Sequence, residues 1–94
     1  MENISAEEIQ IIGGLQIESG RAKNDAQSDR VWSLITTKLR KIAVADNRWE
    51  QLYRDPKDGR YWELHFPQGE LQGGGPPALR VVSSEVAQHK YHLV

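Results

Sequence analysis

Trp49–Pro77, WEQLYRDPKDGRYWELHFPQGELQGGGPP, holds five of the eight glycines and all four prolines of the 94-residue chain. Two aromatic-rich runs, Trp49–Arg54 and Arg60–Phe66, flank Asp55-Pro56-Lys57-Asp58-Gly59. That is the pattern of a β-hairpin. Pro56 presets φ for the first central position of a turn, Asp55 can accept hydrogen bonds from the turn amides, and Gly59 supplies a residue at positive φ. If Asp55 faces Arg60, Tyr53 opposes Trp62, Gln51 opposes Leu64 and Trp49 opposes Phe66. Alternation then gathers Trp49, Tyr53, Trp62, Leu64 and Phe66 on one face, and Glu50, Leu52, Arg54, Tyr61, Glu63 and His65 on the other. The first face reads as core. The second, of mixed polarity, reads as the solvated side of an antiparallel sheet. Pro67 ends the second strand. Gln68–Gln72 reads as loop or a helical turn. Gly73–Pro77 reads as a fixed crossing in which Pro76 pushes Gly75 towards extended backbone.

Upstream, Ser5-Ala6-Glu7-Glu8 has capping-box spacing. Ile9–Ile17 alternates around Gly13-Gly14 and predicts one or two short strands, with Glu18–Arg21 as a turn. A long helix is expected from Asn24 or Asp25 to about Val44. Val31, Leu34, Ile35, Leu39 and Ile42 recur along one side, Asp25 and Asp29 lie near the positive end, and Lys38, Arg40 and Lys41 near the negative end. Downstream, Ala78–Val82 predicts a strand, and Ser83 or Ser84 caps a short final helix.

The length suits one domain, residues 1–94, with one modest core. Formal net charge is −1 and the pI about 6.3, which gives no electrostatic reason to expect nucleic acid or a membrane surface. No cysteine is present, so disulfides and thiolate metal sites are excluded. No signal peptide or transmembrane run is read, and a cytoplasmic location is expected.

No catalytic signature emerges. Gly73–Gly75 lacks the Lys-Ser/Thr of a phosphate loop, and the two prolines after it remove amides that would cradle an anion. Asp55 and Asp58 are ordinary turn residues, and Glu63 reads as solvated or salt-bridged. His65, His89 and His92 have no zinc-helix spacing. The serines read as caps and turns rather than nucleophiles. No cofactor or metal is expected. Trp49 and Trp62 read as core, with exposed binding positions the alternative.

The string LYRDPKDGRYWELHFP followed by ELQGGGPPAL resembles the immunity protein 27 family of bacterial polymorphic toxin systems. The features that carry it are Trp49, the Asp-x-x-Asp-Gly-Arg turn at Asp55–Arg60, Trp62-Glu63, Pro67 and the Gly-Gly-Gly-Pro-Pro run. Asp25 with the Arg30–Ile35 helix segment and the final Lys90-Tyr91 add to it. Gln72 stands where the resemblance leads one to expect histidine. The resemblance implies a non-enzymatic protein that binds the C-terminal domain of a toxin and protects the producing cell.

The sequence therefore predicts an α+β domain: a small antiparallel sheet with a central aromatic hairpin packed on one long helix, followed by a short C-terminal helix. The expected contact surface is the mixed face and turn, Glu50, Arg54, Asp55, Lys57, Asp58, Arg60, Tyr61, Glu63 and His65. Tyr61 would be the anchor, and the charges would provide on-rate and specificity. A ligand-binding or enzymatic domain using Asp55, Asp58, Glu63 and His65 is the alternative, and would need these groups in one pocket. A dimerisation or adaptor module would need an open strand edge.

Overall fold

The computed structural model describes residues 4–18, 20–67 and 75–93. Five strands form an antiparallel sheet in the order β1 (Gln10–Ile12), β7 (Ala78–Val82), β6 (Tyr61–His65), β5 (Gln51–Arg54), β4 (Arg40–Val44). A separate hairpin pairs β2 (Leu15–Glu18) with β3 (Arg21–Asn24). The helices are α1 (Ala26–Thr37) and α2 (Ser84–Tyr91). The fold is α+β, as the sequence predicts.

The central hairpin has the predicted register, with Tyr53 opposite Trp62 and Gln51 opposite Leu64. Asp55 N–H donates to the Arg60 carbonyl at 2.9 Å, Gly59 N–H donates to the Asp55 carbonyl at 2.7 Å, and the Asp55 side chain accepts from Lys57 N–H at 2.8 Å. Gly59 has φ +80°, a conformation that glycine adopts without a Cβ penalty.

Alternation then divides the sheet. Tyr53, Trp62, Leu64, Ile11 and Leu79 pack with Val31 and Leu34 of α1. Leu52, with Tyr61 and Val82 beside it, packs with Ala45 and with Ala87 and Tyr91 of α2. The expectation of one solvated face is therefore corrected. The short final helix covers part of it and makes a second, smaller core. Trp62, Leu34, Leu64 and Leu79 are fully or almost fully buried, each worth roughly 1.5–3 kcal/mol relative to exposure.

Three further expectations are corrected. The long helix stops at Thr37, and Arg40–Val44 is an edge strand. Leu39, Ile42 and Val44 fit either period in so short a run. Here the Leu34 carbonyl accepts from both Lys38 N–H (2.9 Å) and Leu39 N–H (2.8 Å), the chain turns, and Leu39 enters the core while Ile42 is left as an extra residue in the β4–β5 ladder. Arg40 and Lys41 thus cannot serve the helix dipole. Second, Trp49 is not core: the β5–β6 pairing ends at Gln51–Leu64, and Trp49 is 64% exposed. Third, Gly75 has φ +72° rather than extended backbone. The predicted loop at Gln68–Gln72 and the glycines at 73 and 74 lie outside the described residues.

At the helix start, Asp25 is the N-cap. Its carboxylate accepts from Ser28 N–H at 2.9 Å and from Gly14 N–H at 3.0 Å. Gly13 N–H donates to the Pro77 carbonyl at 2.9 Å, and Ser28 Oγ donates to the Gly14 carbonyl at 2.8 Å. Helix, strand β1 and the entry to β7 meet here with no space for a side chain. A Cβ on Gly13 would strike the Pro77 carbonyl and Ser28.

Gly13→Ala is expected to lower stability by about 2 kcal/mol through overpacking. Gly59→Ala, strained only in its backbone, should cost about 1 kcal/mol. Urea unfolding of the two variants beside the parent chain measures both.

Candidate partner-binding site

Residues Leu52, Arg54, Tyr61, Glu63, His65 and Arg80 share the sheet face that α2 partly covers. Glu63 lies in the middle of this face and is 1% exposed. A buried carboxylate needs compensating donors, and three side chains supply them. Glu63 Oε1 accepts from Arg80 Nε at 2.8 Å, and Oε2 accepts from Tyr91 Oη at 2.7 Å and lies 2.7 Å from Lys90 Nζ. Glu50 completes the cluster, 2.8 Å from Lys90 Nζ and 3.4 Å from Arg80. Two carboxylates thus share two cations.

Burial alone would raise the Glu63 pKa. Hydrogen bonds from Lys90, Tyr91 and Arg80 outweigh it and hold the carboxyl below its ordinary value. Burial would lower Lys90, but its bonds to Glu50 and Glu63 raise it. Tyr91 is pushed up by burial and by the neighbouring Glu63 carboxylate. Glu50, Glu63, Lys90 and Tyr91 are each stabilised in their present charge state, which suits a fixed support rather than groups that give or take protons. His65, two residues along β6, is pushed down by burial and then by Arg80.

The remaining expected residues fall at two ends of the sheet. At the turn end, Arg54, Lys57 and Asp58 are exposed, while Asp55 is only 7% exposed and faces its own turn. The Asp58 carboxylate accepts from Arg60 N–H at 3.0 Å and Arg60 Nε at 2.7 Å, and these bonds lower its pKa. Arg60 also donates to the Glu8 and Ser5 carbonyls at 2.6 and 3.0 Å, tying the N-terminal turn to the hairpin. Tyr61 is half-buried, with the Arg54 guanidinium 6.0 Å from its ring centroid.

At the other end, Glu50 and His65 line a cleft of about 340 Å³ with Asn47, Trp49, Phe66 and Arg80. The Trp49 ring meets Phe66 edge-on at 6.4 Å, and Trp32 of α1 lies 6.3 Å from Phe66. The Asn47 side chain accepts from Trp49 N–H (2.9 Å) and Glu50 N–H (3.2 Å), which fixes the turn carrying Trp49.

The structure thus presents Arg54, Lys57 and Asp58 outwards and leaves Glu50, Arg60, Tyr61 and His65 partly accessible. It places Asp55 and Glu63 inside as supports. The four groups of the enzymatic alternative are not brought together. Asp55 and Asp58 are held in the turn, about three strand residues, roughly 10 Å, from Glu63, and Glu63 is fully engaged by its partners. Among the described residues no group of three His, Asp or Glu is placed to hold a metal. Sequence reasoning missed Arg80, Lys90, Tyr91, Asn47 and Trp32. Arg80 was findable as the outlier in an apolar strand. Asn47 acts through a local turn, and Lys90, Tyr91 and Trp32 depend on tertiary contacts.

Glu63→Gln should destabilise the fold by about 3 kcal/mol at neutral pH, because it leaves Arg80 and Lys90 short of a buried counter-charge. A depressed folded pKa makes the carboxylate's contribution fully present above the ordinary value of 4.5 and progressively lost as pH falls below it. The variant should therefore show a flatter decline of stability from pH 5 downwards than the parent chain, read by chemical denaturation at several pH values.

Searches of curated proteins and of solved structures gave no match. The family model described as Immunity protein 27 matches residues 17–83, a span that begins within β2 and takes in β3, α1 and strands β4 to β7. The chain belongs to the Immunity protein 27 family, a family of immunity proteins of toxin systems.

Proposed function

We propose that this chain binds the C-terminal toxin domain of a bacterial polymorphic toxin in the cytoplasm of the producing cell and neutralises it by occlusion, without chemistry of its own. The observation that carries this reading is membership of an immunity family over residues 17–83. The site geometry agrees with it. A hairpin buried on both faces and pinned by Glu63 holds its turn rigidly, and rigid display lowers the ordering cost of binding. The contact surface in this reading is the turn end: Arg54, Lys57 and Asp58, with the accessible parts of Arg60 and Tyr61. Asp55 and Glu63 act beneath it as positioning residues.

A second surface has an observation of its own. Trp49 is a large apolar side chain held in the open beside a cleft, and tryptophan is over-represented among residues that dominate binding energy.

One experiment tests the function and separates the surfaces. The toxin domain encoded beside this chain's gene is produced in a sensitive host with and without the chain, and the two are co-purified. Rescue with a stable complex is expected; toxicity without rescue overturns the reading. Amide exchange of the complex should slow at residues 54–61. Slowing confined to 45–50 and 65–67 would move the contact to Trp49.

A further inference from the structure

The chain has a formal net charge of −1, yet its cations are unevenly matched. Arg30 pairs with Glu8, Arg60 with Asp58, and Arg80 and Lys90 with Glu50 and Glu63. Lys38, Arg40, Arg54 and Lys57 form no ion pair among the described residues, and all four are exposed. They also lie together. Arg40 and Arg54 are directly opposite on β4 and β5. With Ile42 and Pro56 they line a groove of about 290 Å³. Lys38 and Lys57 line a second groove, of about 230 Å³, on the other side of the same Pro56, with Asp55 and Ile4.

The two carboxylates nearby are already used. Asp55 is buried and accepts from Lys57 N–H, and Asp58 is held by Arg60. Like charges opposite each other on neighbouring strands destabilise a sheet, so the Arg40–Arg54 pair works against folding. Four unmatched cations around one exposed proline form a positive patch on a slightly acidic molecule.

From this placement we infer that Lys38, Arg40, Arg54 and Lys57 form the docking surface for an acidic protein face, that of the toxin domain. The inference rests on the reading of the chain as an immunity protein and names the chemistry of its partner. A protein partner fits better than nucleic acid. The patch is small and built around apolar Pro56 and Ile42, and the rest of the chain repels a polyanion rather than attracting one. Its charges would act mainly on encounter, drawing the partner to the turn end before close contact forms.

The test uses the full chain and the same toxin domain, with association and dissociation followed at several salt concentrations. The variant Arg40→Gln/Lys57→Gln removes two patch charges and no hydrogen bond made by either side chain. The control Gln27→Glu/Gln88→Glu makes the same change in net charge at exposed positions elsewhere. The patch variant should associate about tenfold more slowly, with a weaker salt dependence, while its dissociation rate changes less than about twofold. The control should associate like the parent chain, and thermal unfolding should confirm that both variants fold. Equal slowing in patch variant and control would reduce the effect to net charge and overturn the inference. So would an unaltered association rate in the patch variant, with the immunity reading left standing. If the parent chain fails to bind the toxin domain, that reading itself fails. Tight, salt-dependent binding of the parent chain to a duplex oligonucleotide, lost in the patch variant, would overturn the choice of a protein partner.

Discussion

Much of this structure depends on how the Glu63 carboxylate is satisfied. A carboxylate at the centre of a sheet, out of solvent, is tolerated only if its lone pairs meet strong donors. Arg80 from the adjacent strand provides one, and Lys90 and Tyr91 from the last turn of α2 provide the others. Those two residues belong to an eight-residue helix, which would be marginal by itself. Its apolar contribution is modest: Ala87 and Tyr91 are its buried residues. The carboxylate therefore supplies direction. It fixes where the helix lies across the sheet and which turn faces inwards, and burial of Leu52 and Tyr61 follows. Trp62, the next residue on β6, does the corresponding work on the opposite face, against Val31 and Leu34.

The hairpin was legible because its determinants are local. Asp55, Pro56 and Gly59 specify the turn, turn length sets register, and register sets which aromatic faces which side. The start of α1 at Asn24 or Asp25 and the cap of α2 at Ser83 or Ser84 were legible to within one residue for the same reason, and the N-caps are Asp25 and Ser83. Errors arose where short segments satisfy two periods or where a long-range partner decides. Arg40–Val44 continues the apolar spacing of α1, yet β5 needs a neighbour, and two hydrogen bonds to the Leu34 carbonyl are enough to end the helix. Trp49 was placed inside by extending the ladder two residues beyond where it stops. The Asn47 side chain captures the amides of Trp49 and Glu50 and turns the chain out.

The candidate site was legible as a list but not as an arrangement. The alternating pattern assigned nine residues to the mixed face and turn without indicating that a helix would cover part of that face. Once α2 is in place, the nine separate by role. Glu63 and Asp55 become internal supports, Arg60 becomes a tie to the carbonyls of Ser5 and Glu8, and Arg54, Lys57 and Asp58 remain on display. Cations contributed by the helix end and by β4 join them. No local signal reports that Lys38 and Arg40, some fifteen residues away in sequence, come beside the turn.

The form of β4 limits how a partner could use this region. An open strand edge can add a strand from another chain, but edges that avoid this carry charge and irregularity. β4 has both: Arg40 and Lys41 at its start and an extra residue at Ile42 that breaks the ladder. A partner strand would meet a distorted hydrogen-bonding row beneath two cations. The same features that discourage backbone pairing leave long, charged side chains free around Pro56. In the proposed reading, recognition at this end would therefore rest on side chains and charge, carried on a turn whose position is set by the buried Glu63 network behind it.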